Sequence, residues 1–165
     1  MKNLITLQGY NEIISLFSKL KTEKEYWVQE KQIAAQQGDR SENAEYICAK
    51  ENIRNIDKRL YKLDYIIKNT RAVDTTKRKK PKMVLFGSKI RVVKSFDDSK
   101  EELTLKLVGT HELTYIQKSV KINNPSDFTL CLSNVSPLGS KLLKKEVGDE
   151  IEVGDYLYEI LEIIE

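Results

Sequence analysis

An α+β chain of two modules, a long antiparallel helical hairpin followed by a small β-sheet domain with a short helix, is predicted by three features of this sequence. Apolar residues recur at alternating three- and four-residue spacing through much of positions 10–67, Gly38 interrupts that pattern midway, and after Pro81 the period shortens to β-prone runs. At 165 residues the chain can hold one domain or two small ones. Its 40% hydrophobic and 32% charged residues make it too apolar for wholesale disorder and rather charged for one compact globule, which a projecting helical arm explains. The expected division is a hairpin over 1–76, a basic linker over 77–82 and a second module over 83–165.

The first helix is marked by Tyr10, Ile13, Phe17 and Leu20, and its apolar positions continue through Trp27, Val28, Ile33, Ala34 and Ala35. In the second, Ile53, Ile56, Leu60, Leu63 and Ile67 keep a seam facing a partner helix, and Ala49 and Tyr46 extend it backward. Helices over about Leu7–Gln36 and Ser41–Thr70 follow, each ~45 Å long, and equal lengths imply a hairpin. Gly38 is the natural stop, and Asp39 or Ser41 can cap the second helix.

The connecting run, Gly38-Asp39-Arg40-Ser41-Glu42-Asn43-Ala44-Glu45-Tyr46-Ile47, places three carboxylates at the hairpin end. Asp39 followed three residues later by Glu42 has capping-box spacing, so helix capping is one use of these acids. The other is a functional acidic site, where carboxylates without imidazole suit Mg²⁺, a hard cation that retains waters and completes its shell with phosphates. The two uses are compatible for different oxygens. Beyond the tip, Lys50, Arg54, Lys58 and Lys62 recur every four residues with Arg59 nearby. They form either a solvated face laced with Glu51, Asp57 and Asp64 or a phosphate-contacting stripe.

In the second half, Met83-Val84-Leu85-Phe86, Ile90-Arg91-Val92-Val93 and Leu103–Val108 read as strands broken by Gly87-Ser88 and Asp97-Asp98-Ser99. Ser136 and Pro137 start a short helix as cap and first residue, Leu142, Leu143 and Val147 give it apolar contacts, and Gly148 ends it. Ile151-Glu152-Val153 and Tyr156–Ile160 form a closing hairpin around Gly154-Asp155. With neither a nucleophile paired to histidine nor a phosphate-binding glycine loop, a docking role is expected for this module.

Charge and cysteine content narrow the class. The net charge of +3 conceals a basic run, Lys77-Arg78-Lys79-Lys80-Pro81-Lys82, and a segment from Lys141 onward with three lysines against eight acids. The basic run reads as a solvated linker or a weak phosphate contact. Cys48 and Cys131 lack CxxC spacing and are expected as reduced, partly buried thiols; His111 is expected as a structural loop histidine. No apolar stretch approaches the roughly 18–20 residues of a membrane span and the start lacks a signal-peptide pattern, so a cytoplasmic location is expected.

The run Gly38–Tyr46, together with Ser136-Pro137-Leu138-Gly139 and Lys144-Lys145-Glu146-Val147-Gly148-Asp149, resembles the two motifs of the bacterial Gre transcript cleavage factors. Arg40-Ser41, Asn55–Arg59 and Val84-Leu85-Phe86-Gly87 lean toward the GreB branch over GreA. The resemblance implies a coiled coil inserted through the secondary channel of RNA polymerase, an FKBP-like C-terminal domain at the channel rim, and a monomer. It implies no prolyl isomerase activity. In the family the factor is not itself an enzyme: its tip acids help hold a Mg²⁺ shared with the polymerase and orient the water that cleaves the 3′ end of backtracked RNA. By correspondence, Asp39 and Glu42 are the catalytic and metal-assisting acids and Glu45 a supporting one. Arg40 and Ser41 would position RNA or polymerase groups, Asn43 and Tyr46 complete the tip, and Lys50, Arg54 and Lys58 are candidates for contacting the extruded transcript. Two other readings stand beside this one: a Gre-like channel binder that inhibits or competes without stimulating cleavage, and a coiled-coil scaffold unrelated to transcription.

Overall fold

The computed structural model describes residues 3–36, 43–76, 81–115 and 129–164. In chain order the elements are β1 (Asn3–Thr6), α1 (Leu7–Ala35), α2 (Ala44–Asn69), β2 (Thr70–Val73), β3 (Lys89–Phe96), β4 (Ser99–Val108), α3 (Thr110–Tyr115), β5 (Thr129–Ser133), α4 (Pro137–Leu142), β6 (Glu150–Val153) and β7 (Tyr156–Ile163). They form two compact units, one of Tyr10–Thr70 and the other of Met1–Gly9 with Arg71–Glu165. The expected division at 77–82 left the first residues with the hairpin. They group instead with the sheet unit, because β1 pairs with β2 and is bonded to α3.

The helical unit is an antiparallel hairpin. Lys24 Nζ meets Asp57 Oδ1 at 2.7 Å and Asn43 Nδ2 meets the Ala34 carbonyl at 2.7 Å, so partner positions converge toward the connection. Ile13, Leu20 and Ala34 of α1 and Ala49, Ile56 and Leu63 of α2 are buried, each trio in steps of seven or fourteen residues, the signature of a coiled-coil seam. Ile53, Leu60 and Ile67 flank it half-buried, as do Tyr10, Phe17, Trp27 and Val28. Of Ile33, Ala34 and Ala35, all expected to continue the apolar positions, Ala34 takes the inward place, where a small side chain permits close helix approach, and Ile33 is 52% exposed.

The second unit holds a five-stranded mixed sheet in the order β5-β4-β3-β7-β6, antiparallel throughout except for the parallel β4–β5 pair, with α4 against it as in the expected FKBP-like module. Its core joins Val84, Ile90, Val92, Leu105, Leu107, Leu142, Ile151, Ile160 and Ile163. On β3, and on β4 as far as Leu107, the buried residues alternate with exposed or half-buried ones, as the pleat requires; Val108 at the end of β4 is buried as well. On β7 they do not, because Val92 pairs with Ile160 while Arg91 pairs with Glu162, leaving Leu161 as an extra residue. That bulge turns Ile163 inward and places Glu162 where it meets Arg91 at 2.7 Å.

Several expectations are corrected. Met83–Phe86 is not a strand: it makes a single bridge, Met83 to Glu146, and Val84 exchanges backbone bonds with Lys144 and Lys145 instead of a sheet neighbour. The short helix starts as expected, with Ser136 accepting from Gly139 N at 3.1 Å and Pro137 in its first turn, but ends at Leu142. Lys144, at φ +67°, already leaves the helical path, and Gly148, at φ +89°, serves a later turn closed by Glu146 and Asp149. His111 lies in α3 rather than a loop, and β5 is a strand not foreseen. The closing hairpin is as expected, with Gly154 at φ +61° in its turn.

Glu112 anchors β1. Its Oε2 accepts from Thr6 N at 3.1 Å and Gly109 N at 2.8 Å, and its Oε1 accepts from the Thr6 hydroxyl. That hydroxyl accepts in turn from Gly9 N at 3.0 Å in the first turn of α1. A Cβ at Gly9 would stand 2.5 Å from Glu112 Cγ, and one at Gly109 would stand 2.1 Å from the Leu4 carbonyl oxygen, so neither position has room for a side chain.

Candidate functional site

The site is built where the hairpin turns. The end of α1 leaves carbonyls, and the start of α2 leaves amides, without intrahelical partners. Asn43, half-buried and extended at φ −78° and ψ 100°, serves both ends: Nδ2 donates to the Ala34 carbonyl and Oδ1 accepts from Tyr46 N at 3.1 Å. Asn43 is therefore the cap of α2, where Asp39 or Ser41 had been expected. This cap leaves the tip carboxylates unneeded for the Tyr46 amide. Gly38, Asp39, Arg40, Ser41 and Glu42 lie outside the described residues, and with them the capping-box reading.

Glu45 is exposed in the first turn of α2, where a negative charge suits the helix dipole, and Tyr46 is half-buried behind it. An open groove between the helices near this end is lined by Trp27, Ile33, Glu45 and Cys48. Cys48 is exposed rather than partly buried, and its Sγ accepts from Asn52 Nδ2 at 3.5 Å. The oxygen donors of the tip suit a hard cation such as Mg²⁺. Among the described residues no three His, Cys, Asp or Glu side chains gather as a metal site.

Lys50, Arg54, Lys58 and Lys62 are all exposed on α2. Two of the three acids expected to neutralise them are engaged elsewhere, Asp57 by Lys24 across the hairpin and Asp64 by Lys68 at 2.6 Å, while Glu51 is exposed beside Lys50. None of the four cations forms an ion pair with a described residue, which favours a stripe of available positive charge.

Away from the hairpin, burial holds the His111 imidazole below its usual range. Burial likewise pushes the Cys131 thiol up, opposed by Lys106 and reinforced by Glu112. No helix among the described residues is long and apolar enough to cross a membrane. Sequence reasoning missed Asn43 as the cap and Glu112 as the anchor. Asn43 could have been found from its place three residues before Tyr46, whereas no local pattern marks Glu112.

Comparison with known proteins gives matches in both parts of the chain. The family described as "Transcription elongation factor, N-terminal" matches residues 3–71, and "Transcription elongation factor, GreA/GreB, C-term" matches residues 79–165. A transcription elongation factor GreA of Nitratiruptor sp. is 33% identical, covering 98% of this chain and 93% of its own length. A GreA of Clostridium acetobutylicum is 34% identical over 92% of this chain and 87% of its own. Among solved structures, the GreA factor homolog 1 (Gfh1) of Thermus thermophilus aligns over the whole of both chains at 18% identity and a TM-score of 0.43. The two family matches and the GreA relatives establish the family and do not choose between its GreA and GreB branches. The chain belongs to the GreA/GreB family of transcription elongation factors.

Proposed function

We propose that this chain inserts its helical hairpin into the secondary channel of RNA polymerase and stimulates Mg²⁺-dependent cleavage of backtracked RNA, rescuing arrested complexes. Asp39 and Glu42 would hold the ion jointly with the polymerase, and the ion, when bound, would supply Lewis-acid activation of the attacking water and charge stabilisation at the phosphate. Arg40 and Ser41 would orient RNA or polymerase groups beside these acids, with Glu45 supporting them. Lys50, Arg54 and Lys58 would contact the phosphates of the extruded 3′ segment.

The observation that carries this reading is the Asn43 closure. One side chain ties the two helix ends that flank residues 37–42 and supplies the cap itself, so the Asp39 and Glu42 carboxylates are not required for the bond Asn43 already makes. Family membership supports the same reading. The chain acts by lending groups to the polymerase's catalytic site and works in the cytoplasm as a monomer.

The test is a reconstituted elongation complex stalled in a backtracked register and supplied with Mg²⁺. Addition of the protein is expected to release short 3′ RNA fragments and restore extension. Tight binding without fragment release would establish the competing reading, a channel binder that blocks rather than cleaves.

A further inference from the structure

The face of α2 opposite the seam carries two tyrosines that the hairpin does not use. Tyr61 is 76% exposed and Tyr65 59% exposed, and neither stacks on another aromatic ring of the described residues. At 3.6 residues per turn, Arg54, Lys58, Tyr61 and Tyr65 fall within a sector of roughly 60°, with the buried Ile56 and Leu63 on the other side of the helix. Tyr61 and Tyr65 are one turn apart, so their rings can offer successive surfaces along a single line. The charges in this sector are basic, since Asp57 and Asp64 beside it are bonded to Lys24 and Lys68; Glu51 stands only at its edge.

We propose that Tyr61 and Tyr65, with Arg54 and Lys58, form a base-stacking platform for single-stranded RNA. Exposed aromatic rings interleaved with basic side chains are the two components of sequence-tolerant single-strand binding: the rings take the faces of unpaired bases and the cations track the phosphates. A duplex, whose bases are already stacked, cannot use the rings. The source of the RNA rests on the transcript-cleavage reading above: it is the extruded 3′ segment. Tyr61 lies about 27 Å along the helix from Asn43, so the platform engages only extruded segments long enough to span that distance. It therefore adds a preference for deep backtracks to a site whose acids act at the tip.

The experiment measures binding of the full chain to a fluorescent single-stranded RNA of about twelve nucleotides, and to a duplex of the same sequence, at low salt. The paired change Tyr61→Ala and Tyr65→Ala is expected to weaken single-strand binding roughly five- to a hundredfold, while Tyr61→Phe with Tyr65→Phe stays near the wild type and duplex binding is unaffected. Circular dichroism checks that the helices persist. In the cleavage assay the alanine pair should slow release only from segments longer than the span to Tyr61. No binding of single-stranded RNA by the wild type, or equal binding by the alanine pair, would overturn the proposal. Loss of polymerase affinity with RNA binding intact would overturn it too, as the mark of a protein contact. If the wild type releases no fragments, the cleavage reading fails while the binding measurement still decides the platform.

Discussion

The side chain of Asn43 donates to the Ala34 carbonyl at 2.7 Å, joining the last turn of α1 to the cap of α2 across the connection that carries the acidic tip. Because the same side chain accepts from Tyr46 N, its removal exposes one orphan group at each helix end. Asn43→Ala is expected to destabilise the hairpin by about 1–2 kcal/mol, combining a lost cap with a lost hydrogen bond. Asn43→Ser keeps a capping acceptor and loses the reach to Ala34 without setting a carboxylate against that carbonyl, so it should cost less. Urea unfolding followed by helical circular dichroism distinguishes the two.

Glu112 accepts three hydrogen bonds in a buried setting and holds β1 to the segment after β4. Glu112→Ala leaves Thr6 N, the Thr6 hydroxyl and Gly109 N without their acceptor and is expected to cost about 3 kcal/mol in thermal or urea unfolding. Glu112→Gln should be milder. Its amide oxygen can face the two N–H groups while its nitrogen donates to Thr6 Oγ1, whose lone pairs can accept it.

The two thiols should separate chemically. Cys48 is exposed, whereas Cys131 is half-buried and burial raises it above the usual thiol range, lowering its thiolate fraction near neutrality. Alkylation followed by mass spectrometry is expected to label Cys48 first and Cys131 only slowly. Equal rates would contradict the half-burial of Cys131 on β5.

Acid should weaken the sheet unit through His111. Burial lowers the imidazole from its ordinary value of 6.5, so between the folded and unfolded values the unfolded chain binds more protons. The contribution of neutral His111 is present above 6.5 and is lost as pH falls through the lower folded value. The urea midpoint should therefore drop from about pH 7.5 to about pH 5.5 by more in the wild type than in His111→Gln.

The seam of α2 was legible because its apolar residues follow the helical period over several turns, and long periodic stretches leave little choice of face. The end of α1 was less so: Ile33 and Ala34 are adjacent and both apolar, and only packing against α2 selects the smaller one. Asn43 was hidden beside Asp39 and Ser41, both chemically competent caps. Met83–Phe86 has the composition of a strand, yet its backbone bonds go to Lys144 and Lys145, which no local pattern discloses. The bulge at Leu161 likewise depends on the partner strand. Glu112 lies 106 positions from Thr6, so its role becomes visible only once β1 is placed. The acidic tip was legible as composition, from Asp39, Glu42 and Glu45.

The most direct measurement compares the wild type with Asp39→Ala for two quantities on one backtracked complex: affinity for the polymerase and the rate of 3′ fragment release with saturating protein and Mg²⁺. The metal-assisting role predicts a fall in cleavage of up to ~10³-fold, equivalent to ~4 kcal/mol of transition-state stabilisation, with affinity little changed. Cleavage that persists in Asp39→Ala, or that falls only in proportion to binding, would contradict it and leave Asp39 as a contact residue.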